Sequence, residues 1–475
     1  MLENIQMQQL LMQYNPWWID GNMGEEIPTM HRRAYHETLD ILQDEEIRRF
    51  VILSGARRIG KTTIMKQLIA ELLSQGVPAK HILYLSFDNP MFKLLGFRRV
   101  MEAYNEFVPE QEQRFLFLDE IQYADDWSLW LKTLYDTRPQ LRIVATGSAS
   151  PSLEKGASDS GVGRWRVLRM PTLTFREYCD ICHIDNNCKG IHYSLQDWAG
   201  MSKAQLHETM SSFGNMQAAW THYLAQGGFP ELIQVSSAAR AQVLLREDVA
   251  DKVLKRDVPS LFDVRNTLQL EKIFIYLCLH SGSAINMAAM CRELEGVTLP
   301  TLQRYIEYLR DANLIYICEN STNSGKKGLS AQSKIYVADS ALRNAMLMQA
   351  PEFLSDTEMG SIVEGVVYKH LLHAYGTTHR VGYLQLKGRQ KAEVDFAVIH
   401  PTGRRFLCEV KYKNDSSITQ KDAIIEAMKQ KETGGAFLIT RNLNDFGISQ
   451  QTDEEQALIR IPAAAFCYLT ADLIN

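Results

Sequence analysis

Residues Gly55-Ala56-Arg57-Arg58-Ile59-Gly60-Lys61-Thr62-Thr63 carry the spacing G-x-x-x-x-G-K-[ST], which suits the binding of a polyphosphate. Gly55 and Gly60 let the backbone curl until its N–H groups face an anion, and a helix opening at that point favours negative charge. Lys61 would reach the β- and γ-phosphates as a point charge. Thr62 would offer a hydroxyl to Mg²⁺. Downstream, RFLFLDE (114–120) brings two carboxylates to the end of an apolar run. Asp119 is placed to hold Mg²⁺ through water, and Glu120 to polarise an attacking water. An acidic pair in that place also makes a helix cap, but the upstream loop favours the metal. In TGSAS (146–150), Thr146 or Ser148 could sense a terminal phosphate, with ordinary turn chemistry as the alternative; Ser148 is carried forward as a nucleotide contact.

A second group of residues suggests different chemistry. In AEVDFAVI (392–399) and CEVKY (408–412), strand alternation puts Glu409 and Lys411 on one face. Asp395 sits mid-strand among apolar neighbours, where a bare carboxylate is costly. A second Mg²⁺ or Mn²⁺ would compensate, since hard cations take carboxylate oxygens. Lys411 could then orient or deprotonate a water, and metal plus lysine suits phosphodiester hydrolysis. Glu393 shares the strand face of Asp395 and could assist. A solvated edge strand with incidental charges is the plainer alternative.

Two further sets are weaker. Cys179, Cys182, His183, Cys188 and His192 invite a zinc reading. Their spacing matches no firm pattern, and FREYCDIC reads as an amphipathic helix whose thiols face a core. Haem attachment at CxxCH has no supporting context. In TLPTLQRYIEYLRDANLIYI (298–317) a helix precedes a strand, as in a winged helix-turn-helix. Arg304, Arg310, Lys326 and Lys327 could there contact a phosphate backbone, or the module could pack as a lid.

The elements that must position these groups follow from hydrophobic period. The first 50 residues read as helical, with NPWWID (15–20) as a packed anchor. FVIL (50–53), HILYLSF (81–87), RFLFL (114–118) and LRIVAT (141–146) are buried-strand runs separated by helical periods, which predicts a parallel sheet covered on both faces. From about residue 175 to Asp257 the pattern is helical, broken at GGFP (227–230). Towards the end, VGYLQL, AEVDFAVI and FLCEVKY have hairpin spacing, followed by a helix (419–431) and the strand AFLIT (436–440).

With 475 residues, 45% hydrophobic and 23% charged, the chain is long enough for about three domains and is neither disordered nor collagen-like. A net charge of -5 excludes a uniformly basic nucleic-acid coat, though not a local basic patch. No apolar run is long enough to span a membrane, and MLENIQMQQL lacks the form of a secretory signal. The eight cysteines read as reduced thiols, and the expected location is the cytoplasm.

GARRIGKTT, LDEIQ with Trp127 downstream, and TGSAS resemble bacterial and archaeal AAA+ ATPases that carry a C-terminal restriction-endonuclease-like domain. NPWW, GRWRVLRMPTLTFREY (163–178) and YLAQGGFPEL (223–232) fit the same group, so the resemblance covers nearly the whole chain. It implies that Arg164 is an arginine finger acting in trans, with a surface salt bridge as the alternative. GGFP resembles the Gly-x-Pro turn of signalling ATPases. That likeness gives Pro230 a nucleotide contact from a lid helix, unless it is only a helix break. No residue matches the second sensor arginine. Asp395 with Glu409-Val410-Lys411 resembles the PD-(D/E)xK motif. Glu364, in SIVEGVVYKHLL, matches its helical acidic residue, and Val394 stands where the motif has proline.

The expected fold is therefore α/β, with a P-loop NTPase (AAA+/ASCE) parallel-sheet core, a helical lid plus winged-helix middle, and a restriction-endonuclease-like C-terminal domain. The expected boundaries are 1–49 helical segment, 50–175 ATPase core, 176–262 lid, 263–330 winged helix and 331–475 nuclease-like domain. The expected function is a Mg-dependent, ATP-hydrolysing homo-oligomer (a ring or other self-assembly) acting on DNA. The alternative is a nucleotide-dependent regulatory switch whose nuclease fold binds without cutting.

Overall fold

A computed structural model describes residues 4–147, 163–184, 187–214, 216–262, 264, 266–321, 333–350, 354–386, 392–451 and 457–471. Ser148, Lys326 and Lys327 lie outside the described residues. The chain divides into two units. One comprises Met1–Met170, Asp257–Asp263 and Asp311–Asn313; the other comprises Pro171–Arg256, Val264–Arg310 and Leu314–Asn475.

The first unit is built on strands β1 (Phe50–Ser54), β2 (Ile82–Ser86), β3 (Arg114–Asp119), β4 (Leu141–Gly147) and β5 (Trp165–Arg169). All pair in parallel, in the order β2-β3-β4-β1-β5. Every residue of β1 and β3 is buried, as expected where helices cover both faces. Four of these strands match the predicted apolar runs. β5 carries exposed Arg166 and Arg169 and lies at the sheet edge, so it lacks the continuous apolar signature of the others.

The opposite edge, β2, is covered by the NPWW segment. Asn15 acts like a short strand there: its Oδ1 accepts from Tyr84 N at 2.6 Å and its Nδ2 donates to Tyr84 O at 3.1 Å. The indole N–H groups of Trp17 and Trp18 both donate to Ile82 O, at 3.1 and 2.8 Å. The adjacent tryptophans thus satisfy a carbonyl of the edge strand that no other strand pairs, while burying two large rings.

The second unit begins with helices and then a module of three helices (Thr267–Leu279, Met287–Glu293, Leu299–Asp311) followed by an antiparallel hairpin. The hairpin joins β6 (Ile315–Cys318) to β7 (Lys334–Val337), with Cys318 opposite Lys334. β7 lies beyond residue 330, where the sequence pattern placed the end of this module.

Six further strands make a mixed sheet: β8 (Arg380–Gln385), β9 (Glu393–Ile399), β10 (Arg405–Lys411), β11 (Thr433–Thr440), β12 (Gly447–Gln451) and β13 (Ala457–Pro462). Their order is β12-β13-β11-β10-β9-β8. β8, β9 and β10 are antiparallel, whereas β11 runs parallel to both β10 and β13. One core contains Phe396 and Phe437 of the sheet, Val363, Val367 and Leu371 of helix Asp356–Tyr375, and Phe466 of helix Ala463–Leu469. Phe175, Trp198 and Trp220, from the helical stretch after Pro171, belong to the same core. Each such side chain contributes about 1.5–3 kcal/mol by leaving water. A second core joins Ile424 and Met428 of helix Ala423–Met428 to Leu407 and Leu438.

The segments TLTFREY and GGFP meet around Lys369, which is 2% exposed. Its Nζ donates to Thr172 Oγ1 (3.0 Å), Leu173 O (3.1 Å) and Tyr223 OH (2.7 Å). Asp339 lies 3.7 Å from that ammonium and accepts from Thr172 Oγ1 and the Gly228 N–H. A buried charge needs such partners to be tolerated. Among the described residues, no helix is long and apolar enough to cross a membrane.

Candidate functional site

The loop Gly55–Gly60 connects β1 to helix Lys61–Ser74. Its two glycines have separate causes. A Cβ on Gly55 would lie 2.6 Å from Met170 O and 2.3 Å from Ile59 Cδ1, so only a bare Cα fits. Gly60 has φ +95°, a left-handed conformation that costs other residues energy. Arg32 Nη1 supports the loop from outside by donating to Ile59 O at 2.7 Å. Ala56 and Ile59 are buried, whereas Arg58 sits at φ 61° and Thr63 continues the helix.

Strand order places the remaining groups. β1, β4 and β3 are neighbours, so their carboxyl ends converge beside the loop, where open parallel sheets bind ligands. Asp119 ends β3 and accepts from Thr62 Oγ1 at 2.8 Å and from Tyr84 OH at 2.9 Å. Its other oxygen accepts from Thr146 Oγ1, and Thr146 in turn accepts from the Glu120 N–H at 2.9 Å. Thr146 therefore links both carboxylate residues through one hydroxyl. Glu120 has φ 51°, strained for a non-glycine residue, and its side chain accepts from Gln122 Nε2.

Lys61 is 5% exposed, and its Nζ donates to Gly55 O (2.9 Å) and Ala56 O (2.8 Å). Burial lowers its pKa, against the pull of Glu120 and Asp119. Burial likewise raises that of Tyr84, with the Asp119 carboxylate adding to the effect. Thr62 and Asp119 present adjacent oxygen donors of the kind Mg²⁺ takes, so these residues fit a magnesium–nucleotide complex.

Sequence reasoning named Arg57 but missed its two partners, Tyr123 and Asp257. Arg57 Nη2 donates to Asp257 Oδ1 (3.2 Å) and Tyr123 OH (2.9 Å), Arg57 Nε donates to Asp257 Oδ2, and Tyr123 OH donates to Asp257 Oδ1 (2.9 Å). Burial opposes the Arg57 charge, but Asp257 outweighs it and holds the guanidinium above its usual pKa. Asp257 is 200 residues from the loop in sequence, and no local pattern marks it.

Within the first unit, Arg164 lies at the amino end of β1, where its carbonyl accepts from Phe50 N at 3.0 Å. Arg164 pairs with Asp136 through Nε–Oδ1 at 2.9 Å and Nη2–Oδ2 at 3.1 Å, at a half-exposed surface. Pro230 opens the turn Pro230–Leu232 in the second unit.

The second unit brings Glu364, Glu393 and Asp395 together around a residue the sequence did not single out. Lys334 Nζ lies 2.9 Å from Glu393, 3.5 Å from Glu364 and 3.7 Å from Asp395. Tyr336 OH donates to Glu364 Oε1 at 2.5 Å, and Asp395 Oδ2 accepts from Val410 N at 2.9 Å. Glu409 Oε2 is shut off from solvent and makes no hydrogen bond with a described residue. Burial, then the Asp395 charge, pushes Glu364 up to about 7. Burial also raises Asp395 and Glu409. Burial works against the charge of Lys334, yet the surrounding carboxylates outweigh it and raise its pKa.

Lys411 points elsewhere. Its Nζ donates to Asp422 Oδ1 at 2.7 Å and Ser417 O at 3.3 Å. The residues as arranged do not fit a second divalent metal, because an ammonium already lies within 4 Å of three of the carboxylates. Among the described residues no group of three or more His, Cys, Asp or Glu could hold a metal ion. The same holds for the zinc reading: Cys179, Cys182, His183, Cys188 and His192 form no such group, and Cys179 and Cys188 are buried in the core.

Comparison with known proteins adds the following. Residues 47–179 match the AAA domain family. Residues 217–352 and 359–463 match two domains of unknown function, DUF8612 and DUF4143. The chain is 23% identical to an uncharacterized protein of Haemophilus influenzae over 73% of its length and 78% of that protein. It is 24% identical to uncharacterized protein MJ1544 of Methanocaldococcus jannaschii, over 86% of each chain. Among solved structures it is similar to the Walker-type ATPase of Pyrococcus abyssi, at 14% identity and a TM-score of 0.42, covering 68% of this chain and 99% of that one. It is also similar to the RuvB Holliday junction branch migration motor of Thermotoga maritima, at 17% identity and a TM-score of 0.29, covering 64% and 92%. The chain thus carries an AAA-type P-loop ATPase domain beside a second α/β unit.

Proposed function

We propose that this protein hydrolyses ATP with Mg²⁺ and uses the nucleotide cycle to act on nucleic acid. The observation that carries this reading is the junction of Lys61, Thr62, Asp119, Glu120 and Thr146 at the carboxyl edge of the parallel sheet. Mg²⁺ supplies neutralisation of the charge that develops on the phosphoryl oxygens. Loop N–H groups and Lys61 hold the phosphates; Thr62 and Asp119 hold the metal. Glu120 orients the attacking water, and Thr146 fixes the backbone from which Glu120 projects. Ser148 and Pro230 are further nucleotide contacts in this proposal, and Arg164 acts on a neighbouring subunit of a homo-oligomer after leaving Asp136.

Nucleic acid enters through the second unit, whose three-helix module and hairpin we read as a winged helix. Arg304 and Arg310 are exposed on helix Leu299–Asp311. We read the mixed sheet with Glu364, Asp395, Glu409 and Lys411 as a nuclease-like domain. The position of Lys334 among these carboxylates favours the switch reading for the state described, in which the domain binds without cutting.

The test is turnover of Mg-ATP by the whole chain with and without DNA. Lys61→Ala and Asp119→Asn should each abolish turnover. DNA should change the wild-type rate and be retained in a salt-sensitive complex. Absence of nucleotide uptake by calorimetry sinks the ATPase reading, and an unchanged rate with no retained DNA sinks the nucleic-acid part.

A further inference from the structure

Lys334 is held in place from several sides. It is the first residue of β7, opposite Cys318 in β6, and it forms a bridge with Ala284. Its side chain is 5% exposed and passes the Tyr383 ring at 5.7 Å before reaching the carboxylates. Two residues on, Tyr336 shares its strand face and donates to Glu364. One strand therefore delivers both an ammonium and a hydroxyl to the same acidic pocket. Lys334 thus meets three carboxylates, those of Glu364, Glu393 and Asp395, within 4 Å, whereas the lysine whose charge acts on Glu409 is Lys411, itself paired with Asp422. Glu409 Oε2 is shut off from solvent with no hydrogen-bond partner among the described residues, an acceptor that a cation entering the pocket would satisfy.

We propose that Lys334 is an in-chain cation that excludes a divalent metal from the Glu364–Asp395–Glu409 pocket, so that metal enters only when β7 is displaced or the ammonium is removed. A divalent ion and an ammonium packed within about 4 Å repel strongly in a part-buried site. The lysine also offers its donors to the lone pairs that a metal needs. Because β7 belongs to the hairpin of the three-helix module, whatever moves the hairpin controls the pocket. The inference deepens the nuclease-like reading above, on which only its cleavage arm rests.

The experiment uses the whole chain with Mn²⁺ alone, in the absence of nucleotide, read by electron paramagnetic resonance of free Mn²⁺. Wild type and Asp395→Asn should bind Mn²⁺ equally. Lys334→Met should bind one further ion per chain, at least roughly a hundredfold more tightly than the wild-type pocket. Lys334→Met with Asp395→Asn should lose that ion, and Lys334→Arg should resemble wild type. Wild-type Mn²⁺ binding that Asp395→Asn removes overturns the proposal, as does a folded Lys334→Met protein that gains no ion. Where Lys334→Met does not fold, the wild-type and Asp395→Asn pair still decides, and Lys334→Met with Glu393→Gln removes the charge in a balanced way. Plasmid added to the same samples separates the two ideas. Nicking by Lys334→Met with Mn²⁺ supports both. Added Mn²⁺ without nicking supports the exclusion and removes cleavage from the proposed function. Nicking by wild type overturns the exclusion.

Discussion

Thr146 shows how much one hydroxyl can organise. It donates to Asp119 and accepts from the Glu120 N–H, so Thr146→Val would leave a part-buried amide without its acceptor. Such a loss costs about 1–3 kcal/mol. The variant should melt at a lower temperature in calorimetry and turn over ATP more slowly, because Glu120 is then less firmly aimed. Equal turnover would show that Glu120 needs no such support. Glu120→Gln should retain ATP while hydrolysis falls at least roughly a hundredfold, as seen in a filter-retention assay. His370 makes a separate point. It is 6% exposed, its Nδ1 lies 2.7 Å from Val366 O, and its Nε2 accepts from the Phe175 N–H at 2.9 Å. Burial, then the neighbouring Lys369, lowers its pKa to about 3. The unfolded chain takes up the proton near the ordinary value of about 6.5 while the folded one refuses it. Stability of the second unit should therefore be full above about pH 6.5 and fall towards pH 3, at about 1.4 kcal/mol per pH unit for this one proton. His370→Gln should flatten that part of a urea-midpoint profile measured against pH. At this scale the sequence was most readable where spacing is local: Gly55 to Thr62, and Asp119 with Glu120. Tyr84, Tyr123, Asp257 and Lys334 were invisible because each reaches its partner from a different element, and nothing in a linear pattern records that meeting.

Elements explain why some residues need to be where they are. The edge strand β2 exposes carbonyls and amides that another chain could pair with. Asn15, Trp17 and Trp18 occupy those groups. Asn15→Ala should cost the first unit about 1–3 kcal/mol by stranding the Tyr84 amide. It should also raise light scattering on mild heating; a clear solution and an unchanged midpoint would assign the edge no such weakness. The buried strands β1 to β4 announced themselves as apolar runs, because a sheet covered on both faces tolerates little else. β5 did not, since an edge strand with exposed arginines looks like a loop. β12 and β13 are hard to read for a related reason: they flank a stretch rich in Gln, Asp and Glu, QQTDEEQ (450–456), which obscures two short runs. The helical stretch after Pro171 was read correctly as helix, but its Trp198 and Trp220 belong to the core of the mixed sheet, a pairing that periodicity does not encode.

For the molecule as a whole, the chain crosses between its two units several times. Changes of hydrophobic period along the sequence suggest consecutive modules, and Asp257–Asp263 belongs with the first unit. The return is secured by the Arg57–Asp257 ion pair, whose side chains are 16% and 2% exposed. Breaking one partner of such a pair costs about 3–5 kcal/mol because the other charge stays buried. Asp257→Ala should therefore lower the urea midpoint of the first unit, and Arg57→Met in the same chain should restore most of it. A double variant whose loss equals the sum of the two single losses would show that the two residues act independently.

The stretch 171–256 departs just after Met170 and comes back at Asp257. Both ends are moored at one place: Met170 N donates to Ser54 O at 2.7 Å, its carbonyl packs against Gly55, and Asp257 grips Arg57. The two residues that bracket the excursion are thus fastened within three positions of one another, and a change in the Gly55–Arg57 backbone would pull on both fastenings.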